Sequence, residues 1–319
     1  MKMLMVGAGD IGQRVLAKLK RRERAVAVTS TPAKRPGLKR LGARAVLADL
    51  DKPGTLKRLP RDWDVLVHAV PPQSYLTRDL RTGNLLAAAA LSHSREFASM
   101  AGNQAANQPA RRAAQARCAV YLSTSGVYGD CAGARITETQ MLKPHNARAH
   151  RRVDAERVLT RAAKRGAFRL IILRVPGIYA HDRLPIARLK AGTPALIPEQ
   201  DVYTNHIHAA DLASITLAAI KRLRRRVRPQ VRIYHASDDS ALKMGEYFDL
   251  VADAFRLPRP PRLPRTQLDA AVSPMLRSFM SESRRLDNTR MKRELRVRLQ
   301  FVTVAEGVAA AANLLNSQA

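Results

Sequence analysis

The chain has 319 residues, of which 46% are hydrophobic and 26% charged, so it can bury a full core and does not belong to the disordered class. Its formal net charge of +30 favours anionic partners such as nucleotides, phosphosugars, nucleic acid or acidic membrane. Six Phe, seven Tyr and one Trp are too few for base-stacking surfaces, which disfavours nucleic acid among these partners.

The first half of the sequence alternates short apolar runs with helical patterns, as is typical of βα units around a parallel sheet. Between the first two runs, Ile11, Val15 and Leu19 recur at helical spacing. This alternation predicts an α/β fold with a doubly wound parallel sheet. The predicted strands are Met3–Val6, Ala25–Val28, Ala45–Ala48, Val65–Ala69, Ala119–Ser123 and Leu170–Arg174.

The pattern changes after Arg174, where four prolines between residues 176 and 198 exclude one long helix. Residues 231–234 form a further predicted strand, and residues 258–264 a proline-rich connection. We expect a nucleotide-binding domain over residues 1–175. Residues 176–319 are expected to form mainly a smaller C-terminal substrate lobe, with about 205–236 returning to the first domain.

A Gly-x-Gly-x-x-Gly motif at residues 7–12 lies directly after the first predicted strand and opens the first predicted helix. Its glycines permit a tight turn and a close approach of the backbone to a pyrophosphate, which the helix amino terminus attracts. We therefore predict dinucleotide contacts at Gly7, Gly9, Asp10, Ile11 and Gly12.

The second predicted strand ends without the carboxylate that would hold the ribose 2′-hydroxyl of NAD. Hydroxyls and cations stand there instead, which favours the 2′-phosphate of NADP, although NAD stays open. Solvated loop charges are the competing interpretation for the cations. The predicted contacts on this side are Arg14, Thr29, Ser30, Thr31, Lys34 and Arg35.

Five further segments carry a family resemblance. They are residues 48–51 (Ala-Asp-Leu-Asp), 64–69 (Asp-Val-Leu-Val-His-Ala), 120–129 with its Val-Tyr-Gly signature, 173–179 and 205–212. Over most of its length the chain resembles the extended short-chain dehydrogenase/reductase family, the group of nucleotide-sugar epimerases and dehydratases. The resemblance implies an NAD(P)-binding Rossmann fold. It adds the cofactor contacts Asp49, Leu50, Ala69, Val70, Pro71, Val175 and Ile178.

The resemblance also places the catalytic hydroxyl at Thr124, three residues before the Val of Val-Tyr-Gly. The family's usual Tyr and Lys, four residues apart on the next helix, are missing: alignment on Glu156 puts Arg148 and Arg152 at those positions. Arginine cannot transfer protons near neutral pH, but Arg152 can hold the cofactor ribose and Arg148 an anionic substrate. A capping threonine and two surface arginines are the structural alternatives.

The Arg-x-x-x-Arg helix and the Ser-Arg-Arg-Leu-x-Asn segment at residues 283–288 resemble an atypical bacterial branch of that family. Cationic and hydroxyl side chains from the predicted second lobe can bind a phosphate or carboxylate, and a structural role is equally compatible with each. The predicted substrate residues are Ser125, Arg148, Arg183, Tyr203, His206 and Arg285.

Cys118 and Cys131 stand in no metal or redox spacing, no signal-peptide core follows Met1, and the apolar run at residues 85–91 is too short for a membrane span. We therefore expect a cytoplasmic protein with no metal site and no membrane partner. The basic run at residues 221–226 is interpreted as a solvated helix end in preference to a nucleic-acid patch.

The first functional hypothesis is an NAD(P)-dependent oxidoreductase, or an isomerase of the epimerase/dehydratase type, acting on a sugar nucleotide or another anionic small molecule. A catalytically weak NADP-binding sensor or partner-binding protein is the second, because the Tyr and Lys are missing. A basic protein associated with nucleic acid is the third, on net charge alone. Assembly as a homodimer is left open.

Overall fold

The structure is a computed structural model that describes residues 1–20, 23–74, 76–89, 117–225 and 230–316. Strands and helices alternate through the first part of the chain. The strands are β1 (Lys2–Val6), β2 (Arg24–Thr29), β3 (Ala43–Leu47), β4 (Val65–His68), β5 (Cys118–Thr124), β6 (Arg135–Ile136), β7 (Arg169–Val175), β8 (Gly177–Tyr179), β9 (Ala195–Leu196), β10 (His206–His208), β11 (Val231–His235), β12 (Arg262–Leu263) and β13 (Arg285–Leu286).

The described helices vary in length from five to 18 residues. They are α1 (Asp10–Ala17), α2 (Arg35–Arg40), α3 (described over residues 80–89), α4 (Ala147–Lys164), α5 (Ile186–Lys190), α6 (Ala209–Arg224), α7 (Met244–Ala254), α8 (Arg265–Ala271), α9 (Pro274–Phe279), α10 (Thr289–Leu295) and α11 (Val304–Asn316). None of the described helices is long and apolar enough to cross a membrane.

Seven strands form the central sheet in the order β11-β7-β5-β4-β1-β2-β3. The pairs β1–β2, β2–β3, β1–β4 and β4–β5 are parallel, and Val6 lies in register between Val28 and His68. The order runs outward from β1 in both directions, so the predicted doubly wound Rossmann fold is confirmed. The predicted strands are present with ends shifted by one or two residues, and the strand predicted at residues 231–234 is the seventh.

The chain divides into two compact units, and each is discontinuous in sequence. The first unit holds residues 1–124, 147–174 and 213–234, and the second holds 125–146, 175–212 and 235–319. In the first unit β4 and β5 are buried almost throughout, as expected of parallel strands that are covered on both faces. Its core includes Leu66, Tyr121 and, from α4, Ala155 and Leu159.

The part of the second unit at residues 176–198 is built from short elements, as its prolines predict. Between residues 176 and 198 the only helix is the five-residue α5. The three small sheets pair β8 with β10, β9 with β12 and β6 with β13, each in parallel. A second core of apolar and aromatic side chains from α7 and α11 holds these elements together.

Candidate functional site

The glycine turn between β1 and α1 forms a backbone cradle. Gly7 has a φ of +94°, and a Cβ there would lie 2.7 Å from the Val70 amide nitrogen. A Cβ on Gly12 would lie 2.8 Å from the Gly7 carbonyl oxygen. At Gly9, by contrast, nothing lies within 4 Å of the Cβ position. The amides of the first turn of α1 have no intrahelical acceptor, so the open space at Gly9 fits an approaching phosphate.

A cavity of about 280 Å³ opens beside this turn, at the carboxyl ends of β1 to β4. Most of the residues that line it were predicted as cofactor contacts from the sequence. The lining comprises Val6, Gly7, Ala8, Gly9, Val28, Thr29, Ser30, Thr31, Lys34, Ala48, Asp49, Leu50, Ala69, Val70, Pro71 and Arg81. Its position next to the switch between β1 and β4 is where open α/β sheets bind their ligands.

The cations predicted for a 2′-phosphate do not share one position. Lys34 lines the cavity beside the hydroxyl-bearing end of β2, whereas Arg35 starts α2 outside the lining. Arg14 donates its Nε–H to Oδ1 of Asp10 at 2.9 Å. The geometry therefore supports Lys34 as a phosphate contact and gives Arg14 and Arg35 no comparable support.

Arg81 is a residue of the cavity wall that the sequence did not reveal. Its guanidinium donates to both carboxylate oxygens of Asp51, at 2.9 and 2.6 Å, and to the Pro71 carbonyl oxygen at 2.8 Å. The same hydrogen bonds lower the pKa of Asp51. Arg81 thus joins the loop after β3 to the loop after β4. No local signal marks such a residue, because its two partners lie 30 and 10 positions away.

The candidate catalytic residues lie at the end of β5 and on α4. Thr124 is the last residue of β5 and is half-buried. Arg152 donates from Nη1 to the Leu122 carbonyl oxygen at 2.9 Å and to the Tyr121 hydroxyl at 3.0 Å. Arg148 is exposed one helical turn before Arg152, so both arginines share one face of α4. The hydrogen bond to the Leu122 carbonyl oxygen holds the guanidinium of Arg152 at β5, two residues before Thr124 in the sequence.

A buried ion pair anchors α4 to the sheet. Arg174, on β7, donates to Glu156 from Nη2 at 2.8 Å and from Nε at 3.2 Å. The Ser123 hydroxyl donates to the same carboxylate at 2.5 Å. The two charged side chains are 4% and 5% exposed. Because Glu156 lies one turn after Arg152, this anchor also holds the turn of α4 from which Arg152 reaches β5.

The side chain of His68, at the end of β4, is buried next to the candidate catalytic residues. Its Nε2 lies 3.0 Å from the Thr82 hydroxyl, and its ring packs on Tyr121 at 5.1 Å between centroids. Burial, with the charges of Arg152 and Arg81, lowers the pKa of His68 to about 3. Burial raises the pKa of Tyr121 to about 12. Both groups therefore stay neutral around pH 7.

Two of the substrate residues predicted in the second unit come together. The guanidinium carbon of Arg285 lies 4.8 Å from the centroid of the Tyr203 ring, and its Nε–H donates to the Gly133 carbonyl oxygen at 2.8 Å. His206 is only 4% exposed, packs 4.2 Å from the Tyr247 ring, and burial lowers its pKa to about 3. A neutral, buried imidazole does not fit the anion contact predicted for it.

The remaining predicted residues lie outside the cavity lining. Ser125 is buried, and Arg183 is exposed in the turn before α5. Val175 ends β7, and Ile178 pairs with Ile207 between β8 and β10. Asp10, Ile11 and Gly12 form the first turn of α1 beneath the cradle.

A Rossmann sheet with a glycine cradle and an adjoining cavity defines the class of dinucleotide-binding α/β proteins. The model of the NAD dependent epimerase/dehydratase family matches residues 3–234. The chain therefore belongs to that family, and the resemblance drawn from its sequence motifs is confirmed. No match is found among curated proteins.

Solved structures match over the whole chain. A conserved protein of unknown function from Silicibacter pomeroyi DSS is 27% identical, with a TM-score of 0.72 and coverage of 98% of this chain and 99% of that one. The Thermotoga maritima UDP-glucose 4-epimerase with UDP-glucose is 16% identical, with a TM-score of 0.73 and coverage of 100% of this chain and 99% of that one. The Bacillus cereus UDP-glucuronic acid 4-epimerase in complex with NAD is 17% identical, with a TM-score of 0.68 and coverage of 99% of each chain. At these identities the two epimerases show the shared fold.

Proposed function

We propose that the chain is an NADP-binding oxidoreductase or epimerase-like enzyme that acts on an anionic substrate such as a nucleotide sugar. The observation that carries the cofactor assignment is the cavity over the glycine cradle, with Lys34 and three hydroxyl residues at the end of β2. Epimerases with NAD or a UDP-sugar bound share the fold, which supports the substrate class.

The residues present fit a dinucleotide. Gly9 leaves room for the pyrophosphate, Asp49 and Leu50 line the adenosine side, and Lys34 supplies a cation for a 2′-phosphate. A bound nicotinamide supplies hydride transfer. All other tasks fall to side chains of the chain itself.

Thr124 is the proposed polarising group, because a hydroxyl at the end of β5 can donate to a substrate carbonyl or accept from an alcohol. Arg152 brings a guanidinium to the same strand, because its hydrogen bonds go to Tyr121 and Leu122 of β5. Arg148 is proposed to bind the anionic group of the substrate. Arginine is not a proton donor or acceptor near neutral pH, so neither arginine of α4 is assigned a proton transfer.

A catalytically weak NADP sensor is the second candidate, because arginines replace the family's Tyr and Lys. Turnover of a panel of nucleotide sugars and simple alcohols separates the two, since the sensor binds NADP without turnover. We further propose a reducing cytoplasmic setting, in keeping with two cysteines that are free thiols.

Calorimetric titration of NADP and NAD tests the cofactor site. Gly9→Val should abolish binding of both, because its side chain fills the pyrophosphate space. Lys34→Ala should weaken NADP about tenfold and leave NAD unchanged, since one charged contact to the 2′-phosphate is lost. Arg35→Ala is the matched control, because Arg35 lies outside the lining. Equal affinity of the wild type for NAD and NADP would overturn the NADP preference, and unchanged binding by Gly9→Val would overturn the site.

A further inference from the structure

The amino edge of the central sheet carries a row of cations. Backbone hydrogen bonds run from Asp64 N to Lys2 O at 2.9 Å, from Cys118 N to Asp64 O at 3.0 Å and from Arg169 N to Arg117 O at 3.0 Å. Lys2 is also in register with Arg24. The strand starts therefore follow one another as Arg24, Lys2, Asp64, Arg117 and Arg169. This edge faces away from the cofactor cavity, which lies at the carboxyl ends of the same strands.

Two exposed arginines extend the row. Arg44 lies in register beside Val26 on β3, and Arg61 accepts a hydrogen bond at its carbonyl oxygen from Arg117 Nη2 at 2.8 Å. We call the five cations Lys2, Arg24, Arg44, Arg61 and Arg117 the basic edge; Arg169 is not counted, because its guanidinium is buried and donates to the Cys118 Sγ. The described acids beside them are Glu23, Asp62 and Asp64, and Lys2 Nζ donates to Asp62 at 2.8 Å, so the cations exceed these acids by two.

The basic edge is built for an extended anion. Adjacent strands lie about 4.8 Å apart, so the five neighbouring strands β3, β2, β1, β4 and β5 span roughly 19 Å. Duplex nucleic acid carries one negative charge for about every 1.7 Å of its axis, so a duplex segment of that length carries about 11 phosphates on its two strands, and those on one side face the edge. A single phosphate or carboxylate would meet only one or two of the cations. Several dispersed cations on one edge therefore match a polyanion.

The aromatic residue at this edge is unavailable for base stacking. Trp63 is only 5% exposed, and the guanidinium of Arg117 covers its ring at 4.5 Å from the centroid. The stacking fixes Arg117 with its charge at the edge. Exposed cations without an exposed ring favour contacts to a sugar-phosphate backbone over contacts to unpaired bases.

We propose that the basic edge binds the phosphate backbone of duplex nucleic acid independently of base sequence. The sequence alone disfavours this partner, because the cations are scattered between residues 2 and 117. The strand register collects them on one edge. This binding is independent of the proposed cofactor function, since the two sites lie at opposite ends of the strands.

The test compares two variants that each lose three positive charges. The edge variant is Arg24→Gln, Arg44→Gln and Arg61→Gln, and the control is Arg277→Gln, Arg293→Gln and Arg298→Gln, all exposed in the second unit. Binding of a labelled random-sequence duplex is followed by anisotropy over a KCl series. The edge variant should bind at least about tenfold more weakly, with a salt slope shallower by about 2.7, because each lost phosphate contact removes about 0.9. The control should lose less than about threefold.

Urea unfolding followed by the fluorescence of Trp63, which is buried in the first unit, accompanies both variants and is expected to give the wild-type midpoint, which shows that the first unit is folded without relying on NADP binding. Equal losses in the two variants would overturn the proposal in favour of diffuse charge. So would tighter binding to phosphatidylserine vesicles, or to single strands, than to duplex.

Discussion

Removing the negative charge of Glu156 should destabilise the first unit strongly. Glu156→Gln keeps the shape of the side chain but leaves the guanidinium of Arg174, 4% exposed, without its counter-charge. The carboxylate receives two hydrogen bonds from Arg174 and one from Ser123, and an amide cannot accept all three at the same strength. Breaking one partner of a buried pair costs about 3–5 kcal/mol, so we expect a loss of that size in the free energy of unfolding.

The single tryptophan of the chain allows this loss of stability to be measured for the first unit. Trp63 is buried in the first unit, so its fluorescence during urea unfolding reports the stability of that unit. Glu156→Leu combined with Arg174→Met should recover most of the lost stability, because an apolar pair of similar volume needs no counter-charge. Asp62→Asn, which breaks the exposed pair with Lys2, is the control and should change little.

A loss below about 1 kcal/mol in Glu156→Gln would refute the view that this pair anchors α4. The same holds if the double variant is as unstable as the sum of the single variants, because no coupling between the two charges would then exist.

Two further predictions concern chemistry and pH. Thr124→Val should reduce turnover roughly a hundredfold, and Arg148→Tyr should weaken binding of the anionic substrate; kcat and KM on an active nucleotide sugar measure both. Turnover that survives Thr124→Val intact would move the chemistry elsewhere. Burial raises the pKa of Asp238 to about 7 from 3.8, so the folded state keeps a proton that the unfolded state releases, and stability falls as pH rises between these values. Asp238→Asn should flatten that decline in Tm between pH 5 and 8, and an unchanged slope would contradict the assignment.

The elements that the sequence predicts well are those with a local signal. Apolar runs bounded by turns identify the central strands, and the glycine motif identifies the cradle, because its three glycines are needed within six residues. The family motifs predict cofactor contacts at residues 49–50 and 69–71, and these residues line the cavity. Each of these features depends on neighbours in sequence.

Side-chain partners are predicted less well, because they depend on which groups the fold brings together. Arg81 reaches Asp51 and Pro71 only through the packing of α3 against two loops. The pairing of Arg14 with Asp10, four residues earlier on one helix, is the exception that spacing alone indicates. The sequence predicts His206 as a substrate contact, because it is a polar residue beside a family motif. In the fold its ring is buried among aromatic rings.

The arginine at position 152 narrows the chemistry that the proposed site can perform. A lysine and tyrosine pair can pass a proton, because the cation lowers the tyrosine pKa. Arg152 donates hydrogen bonds to the Leu122 carbonyl oxygen and the Tyr121 hydroxyl, and burial still raises the pKa of that tyrosine to about 12. Burial lowers the pKa of His68 to about 3, so its imidazole is neutral around pH 7. Because neither group titrates between pH 5 and 9, neither Tyr121 nor His68 is expected to supply the proton of the proposed redox step, and its rate should carry no titration of these two groups in that range.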